Sequence, residues 1–134
     1  MRRLIPTLLA AIMIATAFGL SAHAFTMSEK VVVANEIIAV ARVPAGGLSA
    51  RERIGRVNER LLYILGFESL HPSAIYAVRK GDSRVIMVGR TPLITVTPRD
   101  ARANNTTVAG LTRVWLRLAK EALPQARPTP SVPG

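Results

Sequence analysis

The sequence predicts one α+β domain, built as a β-hairpin, a helix, a three-strand meander and a second long helix. One sheet is expected, with both helices on one face. Three observations carry this. Runs rich in Val and Ile, broken by Asn, Gly and Pro, alternate with two stretches of helical periodicity. Helix-start signals stand at two of the joints, Ser49-Ala50-Arg51-Glu52 and Thr97-Pro98-Arg99-Asp100. The chain holds no cysteine and is 49% hydrophobic, so its core must hold without disulfides.

The domain follows an address segment. Met1-Arg2-Arg3 is a basic start, Leu4 to Leu20 is uncharged and apolar, and Ala22-His23-Ala24 places small residues where a signal peptidase reads. The rival is a retained membrane anchor. An apolar helix over these seventeen residues spans only about 25 Å, against a bilayer core of about 30 Å. The expectation is therefore a signal peptide over 1–24 cleaved after Ala24, an exported domain over 25–123, and a Pro-rich, disordered tail over 124–134. No membrane-spanning segment is expected after cleavage.

Within the domain, Val31–Val33 and Ile37–Val43 read as a hairpin turning at Asn35-Glu36, and Pro44-Ala45-Gly46-Gly47 ends it. Ser49 and Glu52 form a capping box. The helix behind it buries Ile54, Val57, Leu61, Ile64 and Leu65, and Gly66 falls where a helix-terminating glycine is expected. Strands are expected at Ala74–Arg79, Arg84–Val88 and Pro92–Thr97, with turns at Lys80-Gly81-Asp82-Ser83 and Gly89-Arg90. Four consecutive apolar residues, Val85 to Val88, mark the middle strand as central. Thr97 caps a short turn ending by Asn104-Asn105. Thr106 or Thr107 caps the last helix, whose stripe is Leu111, Val114, Trp115, Leu118 and Ala122, and Pro124 stops it.

Three stretches carry a family resemblance: Gly47 to Arg53, Val88 to Thr97 (VGRTPLITVT), and Asp100 to Thr107 (DARANNTT) leading into a helix with a Trp. Together they resemble the small extracytoplasmic domain that precedes some bacterial channels of the small-conductance mechanosensitive type, and stand-alone exported proteins of that kind. The resemblance spans most of Val31 to Leu123. No channel-forming helices follow here, so no channel function carries over. It implies an exported accessory or sensing module and transfers no catalytic residue.

The residues themselves offer little catalytic chemistry. After cleavage His71 is the only histidine, and it precedes a proline in a loop. No serine lies in a nucleophile-elbow pattern. The eight acids are dispersed, giving neither a carboxylate pair nor a metal-ligand spacing. No catalytic residue, metal or cofactor is assigned; a small hydrolase using His71 is the weakest alternative. The charge is more informative. The formal charge is +10, and +8 without Arg2 and Arg3. Arg53, Arg56 and Arg60 share one helical spacing, and Arg113, Arg117 and Lys120 share another. These six are the candidate residues for an anionic surface such as lipid, cell-wall polymer or an acidic envelope protein. Nucleic acid is disfavoured by the expected export and the scarcity of aromatics for base stacking. The reading is an exported, non-catalytic envelope module that binds or senses a ligand. Its alternative is peripheral attachment to anionic surfaces through the two basic stripes. Asn104-Asn105-Thr106 and Asn105-Thr106-Thr107 also match the glycosylation pattern, but helix capping explains them more simply.

Overall fold

A computed structural model of the protein describes residues 29–126. The expected signal segment and all but the first residues of the expected tail lie outside them. The element order is the predicted one, and the fold is α+β. Strands β1 (Glu29–Val33) and β2 (Glu36–Ala41) form the hairpin, followed by helix α1 (Ala50–Phe67). Strands β3 (Ile75–Lys80), β4 (Ser83–Val88) and β5 (Thr91–Val96) form the meander, followed by α2 (Pro98–Ala103) and α3 (Val108–Ala122). All pairings are antiparallel, and β4 is central in the order β3-β4-β5.

The single expected sheet is not what forms. The hairpin and the meander are two separate sheets. Helix α1 packs on β1, β2 and β5, while α3 packs on β2 and all three strands of the meander. The helices thus bridge the two sheets, and one apolar cluster runs through the whole. Ile38 from the hairpin, Ile64 from α1, Ile75, Ile86 and Val96 from the meander, and Trp115 from α3 all belong to it.

Two irregularities feed this core. The register shifts opposite Val31/Val32 in the hairpin and beside Ile86/Met87 in the meander, leaving Ile38 and Leu93 as the extra residues. A bulge breaks the strict inward-outward alternation. In consequence Ile38-Ala39 and Leu93-Ile94 are each buried as consecutive pairs.

Local chemistry sets most boundaries. The hairpin turns at Ala34-Asn35, one residue earlier than expected, and both have positive φ, 50° and 66°. A two-residue turn of this kind needs left-handed backbone at both centres, which Asn tolerates and Ala resists. The Ser49/Glu52 and Thr97/Asp100 capping boxes both form, and Thr107, not Thr106, caps α3. Gly66 does not end α1. The helix continues through Phe67, and the Glu68 N–H closes it on the Ile64 carbonyl. Pro124 does end the α-helical ladder, but Leu123–Gln125 adds a 3-10 turn that buries Leu123 completely.

Candidate functional site

The basic residues read from the sequence divide into three environments. Arg53 is not at the surface. It is 7% exposed, and its guanidinium makes a bidentate pair with Asp100, which is 1% exposed. Nη1 donates to Asp100 Oδ1 (2.8 Å) and to the Val43 carbonyl (2.7 Å). Nη2 donates to Asp100 Oδ2 (2.7 Å) and to the Thr95 carbonyl (3.2 Å). Asp100 Oδ2 also accepts the Thr97 N–H (2.9 Å) and hydroxyl (2.8 Å). Arg53 also lines the cleft described next, but a buried guanidinium with both terminal nitrogens engaged and its charge neutralised has little left to offer an anion. Arg53 therefore leaves the candidate set. It joins α1 to the segment after β2, to the end of β5 and to α2. The node draws on three separate stretches of the chain: Arg53 from α1, Thr95 and Thr97 from β5 and its end, and Asp100 from α2.

Arg56 and Arg60, one and two turns on, are exposed and line a cleft of about 360 Å³ between α1 and β5. Lys80, at the end of β3, reaches the same cleft. Its walls mix Leu48, Val57 and Ile94 with Thr95 and Thr97. None of these three cations is in a salt bridge among the described residues, and no carboxylate lines the cleft. Asp100 stands behind the wall on Arg53 and Thr97, and Glu52 interacts with the Arg56 charge. The Glu52 carboxyl is held below the ordinary glutamate value, chiefly by the Ser49 N–H (2.8 Å), then by the Ser49 side chain, with the Arg56 charge adding. Sequence reasoning did not connect Lys80 to the helix, because only the folding of the meander brings it there.

The α3 stripe stands apart. Arg113, Arg117 and Lys120 flank a shallower depression shared with Pro72 and Leu116. Glu121 also lines it and pairs with Arg117 at 3.6 Å, so its positive field is partly cancelled. The two depressions share no lining residue, and α1 and α3 make their main contacts with strands rather than with each other. The two stripes therefore do not combine into one positive surface. A third depression carries Arg99 and Arg102, offset by Asp82.

His71 is exposed and caps the 3-10 turn Pro72–Ala74, its Nδ1 accepting the Ser73 N–H (3.2 Å) and lying 2.7 Å from the Ser73 hydroxyl. The ring nitrogen is engaged in closing a turn, and His71 lines none of the three depressions. The asparagines close helix ends: Asn104 is the α2 C-cap, and Asn105 has φ +52°. Among the described residues no group of His and acids could hold a metal ion, and no helix is long and apolar enough to cross a membrane.

The molecule is thus a small α+β domain with a buried ion-pair node and an adjoining cationic cleft. Residues 30–126 match the family described as Domain of unknown function (DUF8459), and the chain belongs to that family. Neither a search of curated proteins nor a search of solved structures gave a match.

Proposed function

We propose that the protein is an exported, non-catalytic module of the cell envelope that binds an anionic ligand in the cleft between α1 and β5. One observation carries the reading: Arg56, Arg60 and Lys80 converge there from two elements without a salt-bridge partner among the described residues. Three like charges around one cavity repel one another, and a bound anion relieves that repulsion. Behind them the Arg53–Asp100 node fixes the first turn of α1 against β5, so the cleft is pre-shaped. The apolar and Thr walls suit a ligand with a charged group and a less polar part. The basic, apolar and small-residue pattern of 1–24 supports export. The resemblance to extracytoplasmic domains of mechanosensitive channels supports an accessory or sensing role over catalysis.

The test is equilibrium binding of inorganic tripolyphosphate over a salt series. Saturable binding that weakens with salt is expected, with at least a tenfold loss in Arg56→Gln/Arg60→Gln/Lys80→Gln. The matching triple change on α3, at Arg113, Arg117 and Lys120, should leave it unchanged. No binding at low salt, or equal loss from both triples, contradicts the cleft. Turnover of a defined substrate by the pure protein contradicts the non-catalytic reading.

A further inference from the structure

The exposed face of α1 does not end with its arginines. Arg56, Arg60, Tyr63 and Phe67 are spaced i, i+4, i+7 and i+11, so at 3.6 residues per turn they fall within about 60° of arc. The first two are the cleft cations. The last two are aromatic and open to solvent, Tyr63 at 52% and Phe67 at 75%. Their rings pack on each other with centroids 4.9 Å apart and form one apolar projection at the C-terminal end of the helix. A phenylalanine so exposed, beside a second exposed ring, is unlike the scattered single apolar residues that most surfaces carry.

We propose that this stripe is a membrane-contact surface. The cleft would hold the phosphate of an anionic lipid headgroup, and Tyr63 and Phe67 would enter the boundary between headgroups and acyl chains. The proposal rests on the anion-binding reading of the cleft and names the source of the anion. Charge and apolarity point to one occupant. Cations at one end of a helical stripe and aromatic rings at the other match the layering of an anionic bilayer, where charge lies outside and apolar chains lie beneath. Tyrosine suits that boundary, with an apolar ring and a polar tip. Along the helix the stripe runs about 16 Å from Arg56 to Phe67 at 1.5 Å per residue, so a helix tilted with its C-terminal end inward holds the arginines at the headgroups while the rings enter the boundary. Glu52 and Glu59 sit on the arc beside Arg56 and weaken the field there, so attraction alone is modest and the rings must contribute.

The test is partitioning of the purified exported protein onto vesicles of phosphatidylglycerol and phosphatidylcholine, beside vesicles of phosphatidylcholine alone. Binding to the anionic vesicles is expected. Tyr63→Ser/Phe67→Ser should lower it at least tenfold, about 1.4 kcal/mol, while leaving tripolyphosphate affinity intact. Arg56→Gln/Arg60→Gln should lower both. Glu59→Gln should strengthen vesicle binding. Leu62 is also exposed, at 76%, but points about 100° away from Tyr63 around the helix. Leu62→Ser should therefore change nothing, and an equal loss from it overturns the stripe. Tripolyphosphate binding without vesicle binding overturns the membrane surface and leaves the cleft standing. Absence of both overturns both.

Discussion

Replacing Asp100 with Asn tests the buried node. The change keeps the side-chain shape and removes the charge, which leaves the Arg53 guanidinium buried with two carbonyls and no counter-ion. Breaking such a pair from one side costs about 3–5 kcal/mol. A domain of this size has roughly 5–15 kcal/mol in total, so the variant loses a fifth or more of its stability. With a urea slope of about 1–3 kcal/mol/M, the midpoint should fall by roughly 1–5 M, about 2 M at the middle of both ranges. Trp115 is the only tryptophan and is buried, so its fluorescence reports the transition directly. Arg53→Met/Asp100→Leu removes both charges and should regain more than half of the loss. What remains is the lost half of the α2 capping box, the Asp100 carboxylate on the Thr97 N–H, about 1 kcal/mol. A loss below about 1 kcal/mol in Asp100→Asn is the value for an exposed pair and would refute the node. So would strict additivity of the Arg53→Met and Asp100→Leu effects.

Three further outcomes follow from single positions. Gly66 lies within α1 with open space where a Cβ would stand, so Gly66→Ala should stabilise by about 0.5–1 kcal/mol; destabilisation in thermal unfolding would restore it as a helix terminator. Gly89 has φ +58°, and a Cβ there would meet the Glu68 carboxylate, which accepts the Thr91 hydroxyl at 2.8 Å. The carboxylate can swing aside, so the backbone cost dominates, and Gly89→Ala should lose about 1–3 kcal/mol in urea unfolding; a neutral result contradicts the turn geometry. Because folding lowers the Glu52 pKa, its stabilising effect is present above the unfolded pKa and is lost as pH falls through the folded one. Wild type and Glu52→Gln should therefore differ in stability at neutral pH and converge in acid, and a gap that stays constant across that range would contradict the capping box.

Features written in neighbouring residues were legible in the sequence. Both capping boxes, the two glycine turns and the central place of β4 depend on spacing within a few positions. Features decided by distant partners were not. Arg53 fits the same spacing as Arg56 and Arg60, yet its counter-ion lies 47 positions away, and nothing local separates the three. Gly66 resembles a terminator, but no other signal fixed where α1 leaves its neighbours. On α3, Val114 was expected inside and is 44% exposed, whereas Thr112 and Ala119 are buried. Small and weakly polar residues can fill a tight interface against strands, so hydrophobicity alone misplaced the stripe. The separation of hairpin and meander has no local code either, since β-pairing across the chain is set by packing and not by spacing.

The most direct test of the functional account is a map of backbone amide shifts in an NMR titration of the protein with tripolyphosphate at low salt. The account predicts saturable shifts concentrated at Arg56, Arg60, Lys80, Thr95 and Thr97, with little change at Arg113, Arg117 and Lys120. Shifts centred on the α3 residues, or none at all, would contradict an anion site between α1 and β5.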